Sequence, residues 1–242
     1  MTEPDHRGAG APGGFLHGVR LSIPVMIPLA LFGSAFGTVA AQKGLTLAEA
    51  VSMTAIVFAG ASQFVAVEMW THPLSASAVA TIVLVTATVN MRFVLMSASL
   101  RPWLAGAPAW QTYSGLLLMT DPGWLIALRY RAEGGKDATV FLGVGVAQWL
   151  IWVAAAAPGY VLGTLVAEPA RFGLDLIMPT FFAAMLVPLW RGAKATRLGR
   201  AVPWAVAGVA ALIVAELVEG WWFIVAGALA GSIAAGLRSD DG

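Results

Sequence analysis

The chain has 242 residues, 59% of them hydrophobic and only 11% charged, with 14 Lys and Arg against 13 Asp and Glu for a net charge of +1. A soluble domain carries roughly 25% charged residues, so this composition, with a mean hydropathy of +0.79, excludes a water-soluble fold. The near-zero net charge gives no global field for nucleic acid or an acidic partner. The absence of cysteine removes disulfide and thiolate chemistry.

In chain order, Met1 to Gly14 is polar and rich in Gly, Ala and Pro. It lacks the cationic stretch, short apolar core and cleavage site of a signal peptide and reads as a disordered cytoplasmic tail. Residues 15–238 read as a single transmembrane domain. Its apolar runs, spaced as a hydrocarbon core about 30 Å thick demands, predict spans at 18–41, 47–70, 75–99, 111–129, 139–165, 173–190, 201–217 and 220–237. The alternating pattern of an outer-membrane barrel is absent, so the fold class is all-α, a polytopic integral membrane protein of about eight helices. The number becomes seven if residues 201–237 form one long tilted helix instead of two short spans joined by an outer turn at Glu216, Glu219 and Gly220.

Eight spans place both termini on one side. That side holds ten Lys and Arg, from Arg7 and Arg20 through Arg129, Arg131 and Lys136 to Arg191, Lys194, Arg197, Arg200 and Arg238; the other holds Lys43, Arg101 and Arg171. The positive-inside bias therefore predicts a cytoplasmic amino terminus. Trp70, Trp103, Trp110, Trp190, Trp204, Trp221 and Trp222 fall near span ends as an interfacial belt, while Trp124, Trp149 and Trp152 lie deeper, as cavity walls or helix packing.

Several spans are poor regular helices. Pro24 and Pro28 interrupt the first, Pro158-Gly159 the fifth, and Pro179 and Pro188 the sixth; the second carries Ala59-Gly60-Ala61-Ser62-Gln63 and the fourth Thr120-Asp121-Pro122-Gly123. Freed backbone groups in lipid are tolerated only against protein or a wet cavity, and transporters build sites from such interruptions. A weak echo relates Gly37-Thr38-Val39-Ala40 to Gly163-Thr164-Leu165-Val166-Ala167, each followed by a Gly-Leu pair. It suggests an internal repeat of two parallel four-span halves.

Arg92 lies in the third span, two residues after Asn90, and a guanidinium at that depth costs several kcal/mol unless it meets a partner or a watery cavity. It reads either as a structural ion pair with Asp121 or as the anchor of a substrate carboxylate, whose planar geometry its fork matches. Asp121, beside a proline, is a proton carrier or a helix cap. The Gly60, Ser62, Gln63 patch is a close helix contact or an unwound segment offering backbone and amide groups to a bound amino acid. Asp175 reads first as an amino-terminal cap, Glu49 and Glu68 as interfacial, and Glu216 and Glu219 as solvated or gating. His6, His17 and His72 lie in the tail or at membrane edges, so no Ser–His dyad or His-ligated metal forms at depth. No phosphate-cradling glycine loop exists. The chain reads as no enzyme and as needing no cofactor or metal. A channel-like or scaffolding subunit without its own transport cycle is the alternative to a transporter.

The series Pro24, Gly33, Phe36-Gly37, Gly44-Leu45, Glu49-Ala50, Met53 and Val57-Phe58-Ala59-Gly60-Ala61-Ser62-Gln63-Phe64, followed by Asn90-Met91-Arg92, Thr120-Asp121-Pro122 and Gly173-Leu174-Asp175, resembles the azaleucine-resistance AzlC family over residues 15–237. Phe93 stands where many members carry histidine, and Pro122 where an acidic residue often follows the aspartate. The resemblance implies a secondary transporter of the cytoplasmic (inner) membrane that exports branched-chain, hydrophobic amino acids. It implies the proton motive force as driver and a small AzlD-type membrane subunit of roughly four helices as partner. Carried onto this sequence, Gly60, Ser62, Gln63, Asn90, Arg92 and Asp121 are the expected substrate-binding residues, with Asp121 and Asp175 as proton-coupling groups.

Overall fold

The computed structural model describes residues 12–70, 73, 75–165, 197–218 and 222–239. These residues are helical throughout, with no strand among them: α1 (Phe15–Gln42), α2 (Leu47–Ile56), α3 (Gly60–Glu68), α4 (Ala76–Leu104), α5 (Ala109–Leu117), α6 (Asp121–Ala132), α7 (Thr139–Leu165), α8 (Arg197–Leu217) and α9 (Trp222–Ser239). The chain is a helical membrane protein. Three helices, α1, α4 and α7, are long and apolar enough to cross a bilayer. The 28 residues of α1 extend about 42 Å at 1.5 Å per residue. The expected second and fourth spans each appear as two short helices in line of sequence, α2 with α3 and α5 with α6. The expected sixth span, with Asp175, Pro179 and Pro188, lies outside the described residues.

Two compact units make up the chain. In the unit of Met1–Val67 and Asn90–Ala167, the core is the parallel pair α1 and α7. Hydrogen bonds run between them at a nearly constant sequence offset: Gly14 N–H to Asp137 Oδ2 at 2.6 Å, Ser34 Oγ to the Ala155 carbonyl at 3.1 Å, and Thr38 Oγ1 to the Gly159 carbonyl at 2.9 Å. Small residues let the backbones approach this closely. A Cβ at Gly18 would lie 2.0 Å from the Val140 carbonyl oxygen, and one at Gly143 2.1 Å from that of Phe15; likewise Gly37 faces Ala156 at 2.0 Å and Gly159 faces Ser34 at 2.0 Å. Each glycine thus receives the carbonyl three residues before its partner glycine. This reciprocity is what a local two-fold axis between parallel helices produces. The sequence echo paired Gly37 with Gly163, whereas the packing pairs Gly37 with Gly159; the remainder of the echo, from Val166 onward, lies outside the described residues.

Aromatic rings seal this pair against α3. Phe32 stacks on Phe64 with centroids 4.6 Å apart, Phe36 meets Phe64 edge-on at 5.6 Å, and Trp152 meets Phe32 at 5.2 Å. Phe36, Phe64 and Trp152 are fully enclosed. A second cluster of Leu100, Leu104, Met119, Ala127 and Phe141 joins α4, α6 and α7.

Of the prolines expected to interrupt spans, Pro122 stands directly after a break, and the others among the described residues do not. Pro24 and Pro28 lie within a continuous α1, and Pro158 within a continuous α7. A lost N–H and a displaced carbonyl bend a helix, but here the packed partner holds the chain helical on either side. The chain leaves the helical path instead at residues 57–59, where there is no proline, and at 118–120.

In the unit of Glu68–Val89 and Glu168–Gly242, α8 and α9 are separate helices, so the two-helix reading of residues 201–237 holds and the single-helix one does not. They pack antiparallel through glycine: Gly227 lies against Ala207 and Ala211, and Gly231 against Ala207 and Pro203. Glu216 is exposed near the end of α8.

Candidate functional site

Two helix breaks and one strut define the site, all within the first unit. At the first break, α2 closes with Val57 N–H donating to Met53 O at 2.9 Å, and Ala59 N–H turns back to Val57 O at 2.9 Å. The Ala59 carbonyl then accepts from Gln63 N–H and from Ser62 Oγ, both at 2.9 Å, starting α3. The Ala55 carbonyl takes the Trp149 indole N–H at 3.0 Å. In lipid such a group must find a protein partner, and α7 supplies it. Gly60 is required by crowding, because a Cβ there would sit 2.9 Å from the Trp152 ring and 3.3 Å from that of Phe32.

At the second break, α5 ends near Leu117 and Thr120 caps α6, its Oγ1 accepting from Gly123 N–H at 3.0 Å. Pro122 falls in the first turn of α6, where its missing N–H would have had no partner in any case. The cap expected of Asp121 therefore belongs to Thr120. Asp121 is the first helical residue, where a carboxylate is favoured by the helix dipole. It pairs with Arg92, Nη2 to Oδ2, at 3.0 Å, with the two side chains 34% and 23% exposed. The Arg92 guanidinium also lies over the Phe93 ring, 5.2 Å from its centroid.

The α7 strut reaches both breaks. Gln148 accepts a hydrogen bond from the Thr120 hydroxyl, and Trp152, one turn on, donates from Nε1 to Gln63 Oε1 at 3.2 Å. Asn90 Nδ2 donates to Ser62 Oγ at 3.2 Å. Between the breaks lies an open-sided cavity of about 390 Å³ lined by Ile56, Val57, Phe58, Ala59, Asn90, Phe93, Val94, Ser97, Leu116, Leu117 and Met119. Its wall is apolar apart from backbone, Asn90 and Ser97, and its size lies in the range of small-molecule sites.

The expected substrate-binding residues fall into two linked groups. Ser62 and Asn90 are joined directly, and so are Arg92 and Asp121. Gln63 is buried against Trp152, and Gly60 opens α3 beside the same ring. The unwound stretch is Val57–Ala59, just before the Gly60–Gln63 patch, which is itself helical. Asp175 lies outside the described residues. Among the described residues no three His, Asp or Glu side chains gather as a metal site. Sequence reasoning missed Thr120 as the cap and Gln148 as its partner. The available signal was that Gln148 is the lone amide in the apolar run 140–157, an expensive residue to bury without a purpose.

The family model for the AzlC protein matches residues 24–166, which include both breaks and the whole strut up to Leu165. The chain is also similar to the inner membrane protein YgaZ of Escherichia coli (strain K12), 25% identical over 215 residues, 86% of each chain. No solved structure matches.

Proposed function

Since the chain belongs to the AzlC family, we propose that it is a multi-pass inner-membrane secondary transporter that exports branched-chain, hydrophobic amino acids, with its amino terminus in the cytoplasm. The observation that carries this reading is the Arg92–Asp121 pair, 3.0 Å across, set at a helix amino terminus, with Phe93 both under the guanidinium and in the wall of the cavity between two broken helices. A zwitterion needs a cation for its carboxylate, an acceptor for its ammonium and an apolar pocket for its side chain. Arg92, Asp121 and the Val57, Phe58, Val94, Leu116 wall are those three things. In the resting state the pair neutralises itself, which makes a charge tolerable in lipid. A bound amino acid exchanges each partner for one of its own charges, so the site is neutral whether empty or full.

Asp121 is the group in this pair that can take a proton, and we assign proton coupling to it, together with Asp175. Phe93, in place of histidine, leaves no second titratable group beside Arg92 on α4. A small AzlD-type membrane subunit completes the transporter. The test is counterflow of labelled leucine in proteoliposomes containing the chain with and without such a subunit, under an imposed proton gradient. Saturable, gradient-sensitive flux lost in Arg92→Ala supports the reading. Unsaturable flux points to a channel, no flux with or without the subunit to a scaffold, and unchanged kinetics in Arg92→Ala remove the pair from the mechanism.

A further inference from the structure

Within the first unit, the parallel pair α1 and α7 is a depth ruler for whatever packs on it. Its amino-terminal ends meet at the Gly14–Asp137 bond. Near the other end of α7, Tyr160 donates to the Leu45 carbonyl at 2.8 Å, so α2 starts on the far side. Ala55 meets Trp149, about 16 Å nearer the amino-terminal side at 1.5 Å per residue. α3 then reverses: Gly60 lies beside Trp152 and Phe32, and Phe64 reaches Phe36, one turn farther along α1. The α5–α6 pair does the same from the opposite side. A Cβ at Gly115 would meet the Phe141 ring at 2.7 Å and one at Gly145 would meet Leu118 at 2.8 Å, while Thr120 bonds Gln148. α6 returns past Val144, beside Gly123, to Tyr130, whose ring lies 6.0 Å from that of His17. The two tips thus meet at Gln148 and Trp149, neighbours on α7. Trp103, in the last turn of α4, lies 6.1 Å from Tyr130 and 6.4 Å from Phe141. That turn also carries Arg101. Sequence spacing set Arg101 across the membrane from the amino terminus, by counting 111–129 as a full crossing. The contacts set it on the amino-terminal side, with Arg20, Arg129, Arg131 and Lys136, which strengthens the positive bias of that face.

We propose that α2–α3 and α5–α6 are re-entrant hairpins inserted from opposite faces, and that the groove between α4 and α5, with Ser97 and Leu116 as its neck, is the route from the amino-terminal face to the site at their tips. What travels along it, the amino acid zwitterion, rests on the transport reading above. The cavity between the tips is continued by a second, open-sided one of about 330 Å³ that includes Arg101, Ala105 and Thr112, and Ser97 and Leu116 line both. On α4 the lining residues from Asn90 to Ala105 recur at steps of three and four, one helix face about 22 Å long. Among the described residues no acidic side chain lines either cavity. Arg101 needs water or headgroups around its charge, so its end of the groove is the mouth. Asn90, Ser97 and Thr112 punctuate an otherwise apolar wall. That suits a solute with a charged end and an alkyl side chain, whereas a lipid acyl chain has no use for polar groups along its length. Non-helical backbone at mid-depth is tolerated where protein buries it or a wet cavity receives it, and both tips border this cavity.

The chain has no cysteine, so single cysteines report their surroundings directly. The experiment places them in the full chain with its subunit, in sealed membrane vesicles of each orientation, and adds a membrane-impermeant sulfonated thiol reagent. Gln42, Ala105 and Lys136 are exposed and give the sidedness. Ala105→Cys should react from the same side as Lys136→Cys and from the side opposite to Gln42→Cys. A full crossing by 111–129 gives the reverse, Ala105→Cys reacting with Gln42→Cys, and overturns the hairpins. Ser97→Cys, at the neck, should react from the Lys136 side. Leucine at about ten times its half-saturating concentration should slow that reaction about 10-fold, since about a tenth of the sites stay empty. Thr112→Cys reads the same route from α5 and serves if the Ser97 variant does not insert. Reaction at the neck only with a membrane-permeant maleimide makes the groove a lipid-filled furrow and overturns the route, as does labelling that leucine leaves unchanged. Absence of saturable leucine flux in the parent protein overturns the transport reading instead, and the sidedness pattern still decides the hairpins.

Discussion

Gly37→Ala is the sharpest test of the packing that holds the two helix breaks in place. The new Cβ would lie 2.0 Å from the Ala156 carbonyl oxygen and 2.6 Å from the Tyr160 nitrogen, both backbone atoms that cannot swing aside. Ordinary contact begins at 3.4 Å, so α1 and α7 must part by about 1.4 Å at this crossing. Overpacking of that kind costs about 1–3 kcal/mol. The Thr38 Oγ1 bond to the Gly159 carbonyl, now 2.9 Å, would be stretched and forfeits about another 1 kcal/mol. The gain in helix propensity from Gly to Ala returns at most about 1 kcal/mol, leaving a net loss of roughly 1–3 kcal/mol. Thermal unfolding of purified protein in detergent, followed as loss of the monodisperse species, reads this as about 2–4 °C per kcal/mol. Gly208→Ala in α8 is the control, since nothing lies within 4 Å of its added Cβ. Gly159→Ala should match Gly37→Ala, and the double variant should cost less than the sum, because helices already parted accept the second methyl cheaply. If Gly37→Ala melts together with or above Gly208→Ala, the tight parallel seam is not how these helices meet.

Three further outcomes follow from the geometry. Arg92→Ala leaves the Asp121 carboxylate without its cation in a partly desolvated place and should destabilise the protein by about 1–3 kcal/mol, while Arg92→Ala with Asp121→Ala should recover part of that loss in the same melt; no recovery would show that the 3.0 Å pair is not coupled. Trp149→Phe keeps an aromatic side chain, though a smaller one, and strips the Ala55 carbonyl of its 3.0 Å donor, which should cost at least about 1–2 kcal/mol and quicken backbone hydrogen exchange at the end of α2. Asp137, before α7, is pushed up by partial burial, but bonds from the Thr139 hydroxyl, the Thr139 N–H and the Gly14 N–H hold its carboxyl below the ordinary 3.8. Its charged form therefore stabilises the fold fully above that value and is lost as the pH falls through the lower folded one. Asp137→Asn should melt a few degrees below the parent at pH 7 and converge with it near the acid limit; a pH-independent gap would exclude the charge as the cause.

Much of this molecule is written in local chemistry. Apolar runs long enough for a bilayer are a property of composition along the chain. α1, α4, α7 and the separate α8 and α9 could therefore be read from spacing, and the depth of Arg92 called for a partner or a watery cavity before any coordinates. Asp121 was legible for the same reason, as the nearest carboxylate at comparable depth. An irregular stretch near Gly60 was legible as one of two readings, but its position at Val57–Ala59 was not, because the seam between α1 and α7 leaves no local signal. Pro24, Pro28 and Pro158 stay within helices because a packed neighbour outweighs the lost hydrogen bond, while Val57-Phe58-Ala59 unwinds because Trp149 and the ring of Trp152 reward it from another helix. Thr120 and Gln148, 28 positions apart, and Gln63 and Trp152, 89 apart, meet only in the tertiary structure, with Gln148 and Trp152 both on α7. Periodicity and hydropathy report which solvent a segment prefers. The direction in which a buried amide points is a pairwise, long-range quantity, decided by which donor the fold brings to its oxygen.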